Sequence, residues 1–148
     1  MCDALHDLYQ QVILEHGRKP RNFHRMDDAG AHARGDNPMC GDRVELFLRL
    51  EDDRIAEASF LGRGCAVSIA SASLLTEAVA GLDGAAAQRL ASRFEEMARS
   101  GKVPPDPDLA GLSALSGVHE FPSRVKCATL PWVTLRAALA GSKEASSE

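Results

Sequence analysis

The chain has 148 residues, of which 45% are hydrophobic and 26% charged, and its formal net charge is −4. This length predicts a single domain over residues 1–148. The acidic balance and the low aromatic content, 5%, argue against general nucleic-acid binding.

Two further features bear on location. No apolar run approaches the roughly 20 residues needed to span a bilayer, so no membrane association is predicted. The N-terminus is polar and acidic, without the basic and apolar regions of a secretion signal. We therefore predict a cytoplasmic protein, in which cysteines serve as metal ligands or reactive thiols rather than in structural disulfides.

The first predicted element is an amphipathic helix from Ala4 to His16, whose apolar residues recur with the helical period. Gly17 is a natural stop for it. The apolar face is expected to cover a sheet, although part of it could dock a partner. The basic turn from Arg18 to Asn22 is either a solvated connector or a docking site for an acidic surface.

Three strands are predicted next, in an α+β fold. The first is an edge strand from Asp27 to Arg34, and the strongest runs from Arg43 to Leu50, with Phe47 on its wetter face. A tight turn at residues 51–53 leads to a return strand from Arg54 to Leu61. The expected sheet is small, three-stranded and antiparallel, and it packs against several helices.

The rest of the chain reads mainly as helices. They are predicted at Cys65 to Ala80, Ala85 to Ser100, Leu109 to Leu115, and from near Cys127 to Ala140. A turn is expected from Gly117 to Ser123. Pro131 then fits only the first turn of the last helix, where its missing N–H is harmless. The polar tail after about residue 141 is expected to fray.

The segment Gly35-Asp36-Asn37-Pro38-Met39-Cys40-Gly41-Asp42 carries the first chemical signal. Asn37-Pro38 favours a turn, and Gly41 allows a sharp bend between a thiol and a carboxylate. If Asp42 opens a strand, Cys40 and Asp42 are two positions apart and can point to the same side. Such a pair can supply two ligands to one metal ion, which is half of a site.

The other cysteines suggest the second half. Cys65 and Cys127 each lie at a predicted helix N-terminus, where unpaired N–H groups favour the thiolate. The three cysteines are 25 and 62 positions apart, so they form no local finger. With Asp42 they could make a tetrahedral site for zinc or for iron with sulfide. Alternatively, the three cysteines are small buried residues with unrelated roles. Cys2 is predicted to be an ordinary exposed thiol outside the site.

Histidines offer weaker alternatives. His119 precedes Cys127 in the predicted turn region and could be a metal ligand instead. A Cys127–His119 nucleophile pair is also conceivable, but no third group that would orient the histidine is evident.

Three segments together resemble one protein family. They are Gly35 to Asp42, the segment Gly62-Arg63-Gly64-Cys65-Ala66-Val67-Ser68, and the segment Arg124-Val125-Lys126-Cys127-Ala128-Thr129-Leu130-Pro131-Trp132. In this order they look like the three motifs of the IscU/NifU N-terminal family of iron–sulfur cluster assembly proteins. His16 with Pro20-Arg21-Asn22 resembles the family's N-terminal motif, so the likeness runs from about Ala4 to Leu139.

Within the family, the chain resembles the SufU branch rather than the IscU scaffolds. Scaffolds carry a histidine immediately before the last cysteine, where this chain has Lys126. They also carry an LPPVK chaperone motif, where this chain reads Phe121-Pro122-Ser123-Arg124. The segment between Cys65 and Cys127 is longer than in scaffolds as well.

The resemblance implies a function, a metal and a partner. It implies that Cys40, Asp42, Cys65 and Cys127 bind zinc, and that the protein is a sulfurtransferase-like sulfur acceptor. Cys40 would take persulfide sulfur from a SufS-type, pyridoxal-phosphate-dependent cysteine desulfurase and pass it to the downstream assembly machinery. Arg124 could assist by steering the anionic sulfur. The alternatives are an IscU-like scaffold carrying an iron–sulfur cluster, or a purely structural zinc module.

Overall fold

The fold is described by a computed structural model that covers residues 2–38, 41–103, 105 and 107–146. Its elements, in chain order, are helix α1 (Cys2–Arg18), strands β1 (Ala31–Asn37), β2 (Asp42–Glu51) and β3 (Arg54–Arg63), helices α2 (Ala66–Ala78) and α3 (Gly84–Ser100), a 3-10 helix (Pro107–Glu120), helix α4 (Pro122–Leu139) and strand β4 (Glu144–Ser146). None of the helices in the described part of the chain is long and apolar enough to cross a membrane.

The α+β prediction is confirmed, but the predicted sheet is wrong in strand number and direction. The sheet has four strands in the order β3-β2-β1-β4, and β4 runs parallel to β1. The Arg34 amide donates to the Lys143 carbonyl at 2.9 Å, and Arg34 pairs with Glu144 at 3.3 Å. A short polar segment has no alternating pattern, so its pairing with an otherwise open sheet edge could not be predicted from sequence.

The hairpin of β2 and β3 follows the prediction, whereas β1 begins four residues later and ends three residues later than expected. Asp52 and Asp53 make the turn with φ values of 52° and 64°. Asn37, at the end of β1, stands opposite Asp42 at the start of β2. The segment with Cys40 therefore connects two paired strand ends.

Phe47 corrects the prediction for the outer face of the sheet. The Phe47 side chain was expected to be solvent-exposed, but it is buried, with an exposed fraction of only 2%. The His32 ring stacks on it at 4.8 Å, and the Arg25 guanidinium lies 5.6 Å from its ring centre. An aromatic ring on a polar face can thus be buried by the long side chains around it.

The helices pack on the inner face, where the core is centred on Trp132. This side chain is fully buried and stacks on Phe94 of α3 at a centroid distance of 4.7 Å. Asp83 caps α3 by accepting from the Ala86 amide at 2.7 Å, and Gly101 ends it with φ 76°. These are the start and stop devices expected of a helix over this stretch.

The last helix begins five residues earlier than predicted. It starts at Pro122, and the 3-10 helix fills most of the region expected to be a turn. A proline at the first helical position needs no hydrogen-bond partner, which makes Pro122 a better start than Cys127. Pro131 consequently lies inside the helix, and Cys127 lies in its second turn rather than at its N-terminus.

Candidate metal site

Asp42, Cys65 and Cys127 converge at one end of the sheet. One ligand atom from each lies within 4.8 Å of the others. Asp42 opens β2, Cys65 is the N-cap residue of α2, and Cys127 comes from α4. Asp42 and Cys127 are buried, with exposed fractions of 2% and 3%. Three residues distant in sequence are therefore brought to one small volume.

The Asp42 carboxylate is held by the start of α2. Its Oδ1 accepts from the Cys65 amide at 2.9 Å, and the Cys65 thiol donates to its Oδ2 at 3.5 Å. Gly64 leaves room for it, because a Cβ at that position would lie 2.1 Å from Asp42 Oδ1. The need for this space at Gly64 is visible only in the fold.

Cys65 is at the N-terminus of α2, as predicted, whereas the pKa argument for Cys127 was wrong. Burial raises the pKa of the Cys127 thiol, and hydrogen bonds with Asp42 and Cys65 and their negative charges raise it further. Three groups that are anionic when ionised repel one another in a confined site. A cation among them would relieve this repulsion.

A buried hydrogen-bond chain fixes α2 against α4. The Ser71 hydroxyl donates to the Ala128 carbonyl at 2.5 Å and accepts from Trp132 Nε1 at 3.1 Å. Ser71 is six positions after Cys65, and Ala128 immediately follows Cys127. These two hydrogen bonds therefore set the relative positions of Cys65 and Cys127.

Arg124 and Tyr9 stand beside the thiols. Negative charge on Cys65 and Cys127, together with hydrogen bonds to both sulfurs, raises the pKa of Arg124. Burial raises the pKa of Tyr9, while Arg124 lowers it and the two thiolates raise it. The structure thus brings Arg124 to the predicted cluster. It adds Tyr9, which had no sequence signal beyond its place on an amphipathic helix.

Two cysteines remain outside this picture. Cys40 lies outside the described residues, as does the side chain of Cys2. Beside Cys40, the Gly41 amide donates to the Asn37 carbonyl at 2.8 Å, and Gly41 has φ 76°. This bond joins the last residue of β1 to the residue immediately before Asp42.

His119 is not brought to the cluster. It lines a separate cleft with Glu95, Arg99 and Lys126, and its Nδ1 lies 2.8 Å from the Ser116 carbonyl oxygen. Its ring also lies over Gly101, the residue that ends α3. The described arrangement therefore supports neither His119 as a ligand of this cluster nor the Cys127–His119 pair.

The N-terminal motif anchors the chain to α2. His16 is buried with its Nδ1 2.6 Å from Ser73 Oγ, which also accepts from the Arg21 amide at 2.7 Å. The Asn22 side-chain amide donates to Thr76 Oγ1 at 3.0 Å. These bonds give the motif a structural role in holding α1 beside α2, the helix whose N-cap residue is Cys65.

The donor set of the cluster fits a thiophilic metal ion. Zinc prefers tetrahedral sites with sulfur, nitrogen or carboxylate ligands, and sulfur ligands about 2.3 Å from the ion lie about 3.8 Å apart. Two thiols and a carboxylate within 4.8 Å of one another need only a small contraction to reach this arrangement. A fourth ligand is still required.

Comparisons with known proteins agree with one another. The family model for the NifU-like N-terminal domain matches residues 8–128. The chain is 40% identical over 136 residues to the zinc-dependent sulfurtransferase SufU of Bacillus subtilis, covering 92% of each chain. It is 36% identical over 141 residues to the iron–sulfur cluster assembly scaffold protein IscU of Streptococcus pyogenes, covering 95% of this chain and 88% of that one.

A solved structure shows the same fold. It belongs to a protein of Fervidobacterium islandicum described as an iron–sulfur cluster assembly scaffold for the SUF system. The TM-score is 0.83 at 31% sequence identity, covering 90% of this chain and 98% of that one.

Proposed function

Because the chain belongs to the NifU-like N-terminal domain family, we propose that it is a zinc-dependent sulfur acceptor in iron–sulfur cluster assembly. The observation that carries the proposal is the convergence of Asp42, Cys65 and Cys127 within 4.8 Å. The 40% identity to a zinc-dependent sulfurtransferase favours zinc and sulfur transfer.

The proposed ligands are Cys40, Asp42, Cys65 and Cys127. Asp42, Cys65 and Cys127 form the cluster described above, and Cys40 precedes Asp42 by two residues in the connection between β1 and β2. A bound zinc ion would favour the thiolate forms of its cysteines and protect them from oxidation. Asp42 is already oriented by the start of α2, so it would present one fixed carboxylate.

In the proposed reaction Cys40 is the sulfur acceptor. The partner is a cysteine desulfurase of the SufS type, which carries a persulfide on its own cysteine. The Cys40 thiolate attacks the outer sulfur, a new sulfur–sulfur bond forms, and the partner's cysteine leaves as thiolate. The step is an exchange, so it requires no added oxidant or reductant.

Arg124 is proposed to assist this exchange. Its guanidinium already interacts with the sulfurs of Cys65 and Cys127. A fixed cation beside the site would offset the negative charge of an incoming persulfide and of the thiolate that leaves. Lys126 stands where scaffolds of the family have a histidine, and an ammonium group has no lone pair to offer a metal ion.

The alternative function is a scaffold on which an iron–sulfur cluster is assembled. Identity to the streptococcal IscU scaffold, at 36%, is close to the identity to SufU. Cysteine thiolates are also the usual ligands of iron–sulfur clusters. A third possibility is a structural zinc module without transfer chemistry.

Cysteine variants separate these functions. Cys40→Ala is expected to abolish stimulation of the desulfurase, while Cys2→Ala, which removes a thiol outside the proposed ligand set, should retain it. If Cys40→Ala is folded and stimulates fully, the sulfur-acceptor role is wrong and a structural zinc module is favoured. A coloured, oxygen-labile species that forms with iron and sulfide and passes its cluster to an acceptor would favour the scaffold.

A further inference from the structure

A cleft of about 510 Å³ lies between α3, the 3-10 helix, α4 and β4. We call it the α3–α4 cleft. Its volume is within the range of about 300–1,000 Å³ that is usual for small-molecule sites. None of Asp42, Cys65 and Cys127 lines it, so it is a cavity separate from the candidate metal site.

The charged side chains of the α3–α4 cleft favour an anion. Arg99, in the last turn of α3, is exposed and forms no ion pair with another described residue. Lys126 brings an ammonium group to the lining from α4. The carboxylate of the lining is that of Glu95, which is buried and bound by Arg136 Nη1 at 2.9 Å. The negative charge of Glu95 is therefore matched by Arg136 and does not offset Arg99.

His119 is held in a fixed orientation in the same lining. Its Nδ1 lies 2.8 Å from the Ser116 carbonyl oxygen, and because a carbonyl only accepts, Nδ1 carries the hydrogen. The ring also lies against Gly101, where a Cβ would be 2.5 Å from Nδ1. Nε2 forms no hydrogen bond with the described residues. It is therefore available to a ligand and, in the neutral ring, is an acceptor.

The start of α4 adds to the positive potential of the cleft. Pro122, the first residue of this helix, lines the cleft. The first turn contains no acidic residue, and the N-cap residue, Phe121, provides no side-chain hydrogen bond. The N-terminal end of a helix carries a partial positive charge that attracts anions. This partial charge acts in the same direction as the charge of Arg99.

Apolar side chains complete the lining. Val125 and Val133 lie on α4, and both are half-buried at the cleft. Small-molecule sites typically combine such apolar walls with a few polar groups that fix the orientation of the ligand. A ligand of the α3–α4 cleft is therefore expected to have an apolar body as well as an anionic group.

The polar groups suit a phosphomonoester better than a carboxylate. A phosphomonoester monoanion can donate its P–O–H hydrogen to the neutral His119 Nε2 while its other oxygens accept from the Arg99 guanidinium. The dianion can accept from both side chains when the imidazole is protonated. A carboxylate satisfies Arg99 but has no hydrogen to offer the neutral Nε2.

We propose that the α3–α4 cleft binds a small phosphomonoester that has an apolar body. Arg99 and His119 bind the phosphate group, and Val125 and Val133 contact the body. The inference does not depend on the proposed sulfur-acceptor function, because it uses none of the proposed zinc ligands.

The test measures binding of three probes to the full chain loaded with zinc, in a buffer without phosphate. The probes are phenyl phosphate, inorganic phosphate and benzoate, which separate the phosphate group from the apolar body. Titration calorimetry gives the affinities, and amide chemical shifts locate the bound probe. The variants are Arg99→Gln and His119→Gln, and the matched control is Arg89→Gln, an exposed arginine of the same helix that does not line the cleft. Thermal unfolding and zinc content check each variant.

The proposal predicts saturable binding of phenyl phosphate, tighter than that of inorganic phosphate or benzoate. Arg99→Gln should weaken phenyl phosphate binding by about tenfold, which corresponds to about 1.4 kcal/mol, because a charge-assisted hydrogen bond is lost. His119→Gln should weaken it as well, whereas Arg89→Gln should behave as the wild type. The amide shifts should cluster around Arg99, His119 and the first turns of α4.

Several results would overturn the proposal. They are no saturable binding of phenyl phosphate, unchanged affinity in Arg99→Gln, or benzoate that binds as tightly as phenyl phosphate. Amide shifts confined to the surroundings of Cys65 and Arg124 would place the anion at the candidate metal site instead. Because the desulfurase takes no part in this measurement, such results would leave the proposed function untouched. That function fails separately, if the wild type gains no sulfur on Cys40.

Discussion

Gly64 provides the space that the Asp42 carboxylate occupies. A Cβ there would lie 2.1 Å from Asp42 Oδ1, and the backbone has φ 143°. Residues other than glycine rarely adopt this conformation, at a cost of about 1–3 kcal/mol. Gly64 therefore contributes to the candidate metal site because it has no side chain that would displace the Asp42 carboxylate.

Gly64→Ala should consequently displace Asp42 and weaken the proposed zinc site. We expect a loss of about 1–3 kcal/mol in the free energy of unfolding and less than full zinc content after dialysis against a weak chelator. Gly84→Ala is the matched control, because a Cβ on Gly84 meets no atom within 4 Å. Full zinc content in Gly64→Ala would show that Asp42 is not a ligand.

Two buried serines on α2 make a second comparison between single residues. Ser71 Oγ bonds to the Ala128 carbonyl and to Trp132 Nε1, whereas Ser68 Oγ is buried without a hydrogen-bond partner in the described residues. Removing a hydroxyl that accepts from a buried indole N–H leaves that N–H unpaired, because the Ala128 carbonyl keeps its helical hydrogen bond while the indole has no other partner among the described residues. Removing a hydroxyl that has no hydrogen-bond partner leaves no group unpaired.

Ser71→Ala should therefore destabilise the protein by about 1–3 kcal/mol, the cost of leaving the buried indole N–H of Trp132 unpaired. Ser68→Ala should be neutral or slightly stabilising. Urea unfolding of both variants, each prepared with the same metal content, measures the difference. Equal destabilisation by the two changes would show that the hydrogen-bond chain between α2 and α4 does not stabilise the fold.

At the scale of elements, β4 is the part of the sheet that the sequence did not predict. It has three residues, is largely exposed, and pairs with β1 in register from Arg34 to Asp36. Its salt bridge with Arg34 lies at the surface, where such pairs contribute about 0–1 kcal/mol. The backbone hydrogen bonds are therefore its main contribution to stability.

Deleting residues 143–148 should expose the edge of β1. The Arg34 amide, which donates to the Lys143 carbonyl, should then exchange its hydrogen faster in a native-state exchange measurement. Glu144→Gln, which removes only the charge, should leave its protection nearly unchanged. Unchanged protection after the deletion would show that β4 does not pair with β1 in solution.

The elements with a strong periodic pattern were predicted well from sequence. α1, α2, α3 and the β2–β3 hairpin lie within a few residues of the predictions, because apolar spacing, Asp83 and the terminal glycines act locally. β4 was missed because its pairing depends on tertiary context, whereas the start of α4 was missed although Pro122 is itself a local signal for a helix start. Pro131 is tolerated inside α4, although local rules confine proline to a first turn.

At the scale of the whole molecule, the site depends on residues spread over most of the chain. Sequence reasoning selected Asp42, Cys65 and Cys127, and the fold brings all three together. It could not find Tyr9 or Ser71, because an aromatic on an amphipathic helix and a serine in an alanine-rich helix carry no distinctive signal. The buried anchor of His16 on Ser73 likewise appears only when α1 lies against α2.

The architecture also separates two regions of the surface. The candidate metal site lies at the end of the sheet where β1 and β2 are joined. The cleft with Glu95, Arg99 and Lys126 is formed by α3 and α4 together with His119 of the 3-10 helix and Ser146 of β4. The proposed sulfur-transfer chemistry therefore belongs to a different region of the protein from this cleft.

The central claim is that Cys40 accepts sulfur while zinc occupies the site. The most direct test measures zinc and iron in protein purified from its native host, then the mass of the Cys40 peptide after incubation with desulfurase and cysteine. We predict about one zinc per chain, as for a four-ligand site, and one extra sulfur on Cys40. Iron with sulfide, and no extra sulfur on Cys40, would contradict the account and favour the scaffold.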